Sequence, residues 1–115
     1  MHEDRIKFGA FLREQISHAK ITQSAFYNAI GITKPYFYDI ISGKTSPPSL
    51  DIQVRMINEL EKHLGAEENR RNSFLNMAAK GRQEIPADIS ELIYSHPDKW
   101  DAVRAYLIQH FTEEI

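Results

Sequence analysis

Apolar residues recur along this chain at intervals of three and four, which is the spacing of one face of an α-helix. Phe8, Leu12 and Ile16 show this spacing near the start of the sequence. Strict alternation of apolar and polar residues, which is typical of strands, persists nowhere. The pattern therefore predicts an all-α fold with seven helices, over residues 5–19, 23–30, 34–42, 50–64, 66–80, 87–94 and 97–111.

Two short helices in the first half of the chain have clearly marked ends. Thr22 and Thr33 precede them, at positions where a hydroxyl can accept from free backbone N–H groups of the first turn. Gly31 and Gly43 follow them, and glycine tolerates the left-handed conformation of a sharp exit from a helix. Two short capped helices joined by a glycine turn are a helix-turn-helix.

The residues of this unit carry a resemblance to a known family. They resemble the DNA-binding domain of the Cro/CI (XRE) repressors in the stretches Thr22-Gln23-Ser24-Ala25-Phe26, Ile30-Gly31-Ile32-Thr33, Phe37, Ile40 and Gly43-Lys44. Phe8-Gly9, Leu12-Arg13 and Pro48-Ser49-Leu50 resemble that family's first helix and the entry to its fourth. The resemblance covers residues 5–64. It implies a five-helix, lambda-repressor-like helix-turn-helix fold with a C-terminal helical extension. The expected DNA-binding domain is residues 1–65, and the expected extension is residues 66–115.

A protein of this family is expected to be a sequence-specific transcriptional regulator. The resemblance implies a dimeric repressor from a prophage or other mobile bacterial element, which covers a promoter and blocks polymerase. Its third helix, residues 34–42, would enter the major groove of double-stranded DNA by its N-terminal end, with each copy on one half of a pseudo-palindromic operator. The expected DNA-contacting residues are Gln23, Thr33, Lys34, Pro35, Tyr36, Tyr38, Asp39, Ser42, Lys44 and Thr45.

The residues expected to face the groove offer different chemistry. Lys34 can donate to guanine or to a phosphate, and Asp39 can accept from cytosine N4. Asp39 has two other interpretations, a solvated helix position or a restraint on Lys34 or another nearby cation. For Thr33 the helix cap is the main expected role, and Tyr36 and Tyr38 either contact DNA or pack on neighbouring side chains.

The residues at the flanks are expected to contact the DNA backbone. Gln23 begins the second helix, and a helix N-terminus attracts phosphate; the alternative is an ordinary exposed first-turn residue. Ser42, Lys44 and Thr45 follow the third helix and would meet the backbone on the opposite flank. Such contacts fix the register of the protein on DNA but do not read its sequence.

Three features depart from the family's pattern. Tyr27 stands where the family has a small residue. Ile16 and Ile41 stand where many members carry an arginine and a glutamate, and because both are apolar here, neither leaves a buried charge unpaired. Pro35 stands where an amide side chain often contacts bases. Because proline has no hydrogen-bond donor, it can offer only apolar contact with a thymine methyl.

Charge is distributed unevenly behind a formal net charge of −2. Residues 5–48 contain six lysines and arginines against two acidic residues, whereas residues 84–115 contain two against seven. A basic first half can contact phosphate locally, although ordinary surface variation gives such a pattern too. We expect the acidic C-terminal part to face away from DNA.

The last predicted helix has one apolar face, formed by Trp100, Val103, Leu107 and Phe111. One domain of this size makes few base contacts, and a two-fold homodimer is the usual remedy. This face is therefore the expected dimer contact. The alternative is that it packs back on the fourth and fifth helices and completes a small core.

Composition excludes several other classes of protein. Cysteine is absent, so thiolate catalysis and sulfur-ligated metal sites are excluded. No apolar run approaches the roughly 18 residues of a membrane span, and the charged start of the chain is unlike a signal peptide. A cytoplasmic protein is the simplest interpretation.

The five histidines lack metal-ligand spacing and no phosphate-binding glycine loop is present, so we expect no cofactor, no metal and no enzymatic activity.

Two other functions fit the same features. In the first, the protein is an antitoxin-type or adaptor module whose C-terminal helices bind another protein, and the helix-turn-helix is secondary. In the second, a small helical domain has kept the fold and lost DNA binding, which Pro35 and the negative net charge favour. Binding of mixed DNA at low salt separates both from the leading hypothesis.

Overall fold

The computed structural model describes residues 2–112, and within them the chain forms helices and no strands. The α-helices are α1 (His2–His18), α2 (Gln23–Ile30), α3 (Lys34–Ser42), α4 (Leu50–Leu64), α5 (Glu68–Arg82), α6 (Ala87–Tyr94) and α7 (Trp100–Thr112). The predicted all-α class is confirmed. The last helix begins later than predicted, because Pro97–Lys99 form a separate 3₁₀ turn. No helix in the described part of the chain is long and apolar enough to cross a membrane.

The caps predicted for α2 and α3 are present. The Thr22 hydroxyl accepts from the Ala25 N–H at 3.0 Å, and the Thr33 hydroxyl accepts from the Tyr36 N–H at 3.3 Å. Gly31 and Gly43 end the two helices in the left-handed region, each with φ of 78°. The caps fix both ends of each helix, so that the turn between them has only the three residues 31–33.

The core is built around α1, which packs against α3, α4 and α5. Its large side chains are fully or almost fully buried: Phe8, Leu12, Ile16, Phe26, Phe37, Ile40, Met56, Leu60 and Phe74. At Gly9 the backbones of α1 and α3 meet closely, since a Cβ there would lie 2.7 Å from the carbonyl carbon of Ile41. Glycine at this position therefore allows α3 to lie flat against α1.

Helix α5 belongs to this core. The ring of Phe74 meets that of Phe8 edge-on at 5.2 Å, and the ring of Phe11 lies 6.4 Å from that of Phe74. The packed core therefore includes α5 and does not end near residue 65, where the resemblance divides the chain into residues 1–65 and 66–115. That division also includes Met1 and residues 113–115, which lie outside the described residues.

The chain leaves this core at Gln83. This residue adopts a left-handed conformation with φ of 58°, and its N–H donates to the carbonyl of Lys80 at 3.2 Å. The Glu84 N–H donates to the carbonyl of Ala79 at 2.9 Å, which completes the cap of α5. This turn determines the direction in which residues 84–112 leave the core.

Residues 87–112, which comprise α6, the 3₁₀ turn and α7, form a C-terminal arm with no buried residue. On α7, Leu107 is 39% exposed and Phe111 is 67% exposed, so α4 and α5 do not cover its apolar face. The alternative in which this face completes the core is therefore wrong. The radius of gyration, 16.1 Å, exceeds the roughly 13 Å expected for a compact chain of this length.

Candidate nucleic-acid interface

Helix α3 buries one side and exposes the other. Phe37, Ile40 and Ile41 recur at helical spacing and point into the core, and the close approach at Gly9 brings this side against α1. The opposite side and the N-terminal end remain exposed at Thr33, Lys34, Pro35, Tyr38 and Ser42. Within residues 2–112, nothing occludes the end of α3 that the sequence predicts to enter a groove.

The other residues predicted to contact DNA lie close to this exposed side or at the next helix start. Lys44 is exposed, whereas Tyr36, Asp39 and Thr45 are half-buried. Gln23 is half-buried at the start of α2. The residues on and after α3 thus form one continuous surface, and Gln23 contributes from the neighbouring helix.

Lys34 has a free side-chain ammonium group in the described part of the chain. Lys34 forms none of the ion pairs found within residues 2–112. Its Nζ lies 5.9 Å from the ring centroid of Tyr38, one helical turn away. Asp39 also forms no ion pair with any residue that the structure describes. The interpretation of Asp39 as a restraint on Lys34 is therefore not supported by the geometry, and both groups remain available at the surface.

The N-termini of α2 and α3 differ in how many backbone donors they leave free. In α3, Pro35 has no N–H, the Tyr36 N–H is bonded to the Thr33 hydroxyl, and the N–H of Phe37 is bonded to the Thr33 carbonyl. Lys34 thus supplies the only free donor of that first turn. In α2, both Gln23 and Ser24 keep a free N–H, so among these two helix starts α2 offers an anion more donors.

The loop after α3 is held to the carbonyl of Asp39. That oxygen accepts from the Lys44 N–H at 3.0 Å, the Thr45 N–H at 3.2 Å and the Ser42 hydroxyl at 3.3 Å. The Gly43 N–H also donates to this oxygen, and together these donors close the C-terminal end of α3. The side chains of Lys44 and Thr45 therefore have a fixed origin beside the exposed surface.

Two residues that the sequence analysis missed hold the far end of the same loop. Arg82 donates from Nη1 to the carbonyl of Pro47 at 3.0 Å. It also forms a bidentate ion pair with Glu84, in which Nε and Nη2 each donate to a carboxylate oxygen at 3.1 Å. Gln53 is buried and donates to the carbonyl of Pro48 at 2.8 Å. Arg82 lies 35 residues from its partner along the chain, so no local sequence signal pointed to this contact.

Helix α2 is also held from a distance. Arg55 on α4 donates from Nη1 to the carbonyl of Ile30 at 3.2 Å, at the C-terminal end of α2, and pairs with Asp51 at 2.8 Å. The ring of Tyr27 packs against Phe37 at 5.3 Å. The large side chain at position 27 is therefore accommodated between α2 and α3 rather than in the centre of the core.

The paired substitution at positions 16 and 41 is accommodated in the core. Ile16 is 2% exposed and Ile41 is 5% exposed, so both apolar side chains are buried with no charge to compensate.

Across residues 2–112 no group of three or more acidic or histidine side chains is arranged to hold a metal ion.

Comparisons with known proteins identify no relative of this chain. No protein-family model, no curated protein and no solved structure matches this chain.

Proposed function

We propose that this protein is a sequence-specific DNA-binding transcriptional regulator of the Cro/CI type, acting as a dimeric repressor in the bacterial cytoplasm. The observation that carries the proposal is the exposed N-terminal end of α3, with both ends of the helix capped and Lys34 beside it in no ion pair within residues 2–112. A rigid, exposed helix end with a free cation is what the major groove of B-DNA admits.

The contacts that anchor the protein on the DNA backbone are made mainly by α2 and by the loop after α3. The free N–H groups of Gln23 and Ser24 and the positive end of the helix dipole attract one phosphate. Lys44 and Thr45 extend from a loop that Asp39 and Arg82 hold in place, and they meet the backbone on the other flank. These contacts set the register of α3 in the groove.

Reading of the bases falls to a small number of side chains. Lys34 donates to guanine O6 and N7, and Asp39 accepts from cytosine N4. Tyr38 lies against Lys34 and limits where its ammonium group can reach. Pro35 contributes apolar contact alone, so one copy reads few base pairs and two copies are needed for a specific site.

The decisive experiment is selection of bound duplexes from a random pool by the full-length protein, followed by titration of the selected site at several salt concentrations. We expect a two-fold symmetric sequence to emerge. Its affinity should fall steeply between about 50 and 200 mM salt, because phosphate contacts release counterions. A pool that stays random, together with no DNA affinity at 50 mM salt, would refute the proposal.

Lys34→Ala tests whether the end of α3 lies in the groove. Loss of a base contact costs about 1–3 kcal/mol at each half-site, which corresponds to a fall of roughly 5- to 150-fold in the affinity of one copy for its half-site. Lys62→Ala removes the same charge from an exposed position on α4, where Lys62 pairs with Glu59. Equal effects of the two substitutions would show that only overall charge matters.

The adaptor hypothesis keeps one observation in its favour, the exposed apolar arm. In that hypothesis the arm binds another protein, and the helix-turn-helix is secondary. Salt-dependent binding of mixed DNA that Lys34→Ala weakens would contradict it.

A further inference from the structure

A cleft of about 270 Å³ lies between α6 on one side and α4 and α5 on the other. Its floor is apolar and consists of Leu50, Val54 and Ile57 from α4 and Leu75 from α5. The three α4 residues are spaced by four and three positions, so they share one face of the helix. This space is called the α4–α6 cleft below, and none of its lining residues is among those predicted to contact DNA or to form a dimer.

The floor of the α4–α6 cleft leaves apolar surface accessible at the edge of the core. Ile57 and Leu75 are buried, whereas Leu50 is 37% exposed and Val54 is 44% exposed. Removing such surface from water is favourable. An apolar cavity of about 150 Å³ holds benzene, so the cleft has room for an alkyl chain of about six carbon atoms.

The α6 wall of the cleft carries negative charge. Asp88 and Glu91 both line the cleft and lie three positions apart, on the same side of α6. Both are exposed. Neither forms any of the ion pairs found within residues 2–112. Two carboxylates without a cationic partner in the described chain therefore face the apolar floor.

The one cationic side chain that lines the cleft already has a partner. Arg71 donates from Nη2 to Oε1 of Glu61 at 2.7 Å, so its charge is offset by that of Glu61. Asn58, the remaining polar residue of the lining, is neutral and has an amide oxygen that can accept a hydrogen bond. The charge of the cleft is therefore complementary to a cationic donor attached to an apolar chain.

The segment that leads into α6 is attached to the core. The Glu84 N–H donates to the carbonyl of Ala79 at 2.9 Å, and the carboxylate of Glu84 pairs with Arg82. Arg82 is itself bonded to the carbonyl of Pro47, and α6 contacts α5. The acidic wall thus faces the floor before a ligand binds, which lowers the cost of ordering the site.

We propose that the α4–α6 cleft binds a small organic cation, a primary alkylammonium ion whose chain lies on the apolar floor and whose head group lies between Asp88 and Glu91. A carboxylate on the same chain would be repelled by these two side chains. A shorter chain would bury less of its surface on Leu50 and Val54. The inference goes beyond the proposed function and does not depend on DNA binding.

Titration of the full-length protein with hexylammonium, followed by ¹H–¹⁵N correlation spectra without DNA, tests the proposal. For a ligand of about seven heavy atoms we expect a Kd on the order of 1 mM, with amide shifts centred on Val54, Leu75 and Glu91. The indole N–H of Trp100, the single tryptophan, lies outside the cleft and should not shift. Propylammonium and hexanoate should each bind at least about 10-fold more weakly.

Two sets of variants separate the charge of the cleft from its floor. Asp88→Asn combined with Glu91→Gln should raise the Kd for hexylammonium roughly 5- to 10-fold, because each exposed charge contact is weak. Glu14→Gln is the matched control, since Glu14 is an exposed acidic residue on α1 outside the cleft, and it should leave the Kd unchanged. Val54→Asn makes the floor polar and should weaken hexylammonium more than propylammonium.

Several results would overturn the proposal. These are equal binding of hexylammonium and hexanoate, equal effects of Glu14→Gln and the double substitution, and shifts confined to the apolar side chains of α7. A lysine-rich helical peptide that shifts the amides of the cleft, where hexylammonium shifts none, would show a protein-docking surface instead. Because DNA is absent from the titration, failure here leaves the proposed function standing, and failure of the DNA selection leaves the cleft site standing.

Discussion

The contact between α1 and α3 can be tested with Gly9→Ala. Gly9 lies inside α1, where alanine is favoured over glycine by about 1 kcal/mol. A Cβ at this position would lie 2.7 Å from the Ile41 carbonyl carbon and 2.8 Å from the Ile40 carbonyl oxygen. Both contacts are to backbone, which cannot rotate away as a side chain can, so α3 must move.

Overpacking of this kind costs about 1–3 kcal/mol, and contact with backbone places the cost near the upper end. After the helix gain is subtracted, the free energy of unfolding should fall by about 2 kcal/mol. Urea unfolding followed by circular dichroism measures it as a lower midpoint with an unchanged slope. The displaced α3 should also weaken the DNA affinity, if the protein binds DNA as proposed.

Ala10→Gly provides the matched control, because residue 10 is exposed on the same helix. It should cost about 1 kcal/mol and so measure the intrinsic preference for alanine in α1. If Gly9→Ala stabilises the protein by the amount that Ala10→Gly destabilises it, then the backbones of α1 and α3 do not meet at Gly9, and the reasoning fails.

Three further predictions test other parts of the structure. Phe74→Ala should cost about 3–5 kcal/mol of unfolding free energy, and a loss below about 1 kcal/mol would show that α5 lies outside the core. Thr33→Ala should cost about 1 kcal/mol, while Thr33→Ser keeps the hydroxyl and should cost less; equal losses would argue against the cap. Arg82→Met should lower stability and DNA affinity together, whereas Arg70→Met, which removes a similar bond to the Gly65 carbonyl at 2.8 Å, should lower stability alone.

Local signals in the sequence were sufficient to predict α2 and α3. Thr22 and Thr33 cap the helices through their own first turns, and Gly31 and Gly43 end them through backbone conformation. Each of these effects acts over three or four residues, so the boundaries can be read without knowledge of the fold. The buried side of α3 also follows from a local pattern, the spacing of Phe37, Ile40 and Ile41.

Contacts between distant helices could not be predicted from local signals in the sequence. The apolar face of α5 is visible in the sequence, but nothing local shows that Phe74 meets Phe8 in the central core rather than in a separate extension. The apolar face of α7 is equally visible, and its exposure depends on the turn at Gln83 and on the bond between Trp100 and Ile93. Periodicity identifies an apolar face without identifying what covers it.

The candidate DNA interface also combines features that the sequence predicts with contacts that it does not predict. Its surface residues follow from the resemblance and the helix ends, whereas Arg82, Gln53 and Arg55 hold its frame from other helices. Long polar side chains of this kind look like ordinary surface residues in a sequence. Their backbone partners become apparent only when the loop and helix ends are placed in space.

The left-handed turn at Gln83 has a mechanical consequence. The turn joins the core to the C-terminal arm, so if two copies join through their arms, its geometry influences how far apart their α3 helices lie. Half-site spacing on DNA would then depend on the left-handed torsion of Gln83 as well as on the interface. Substitution of Gln83 by glycine would release that torsion and let one dimer accept operators of several lengths.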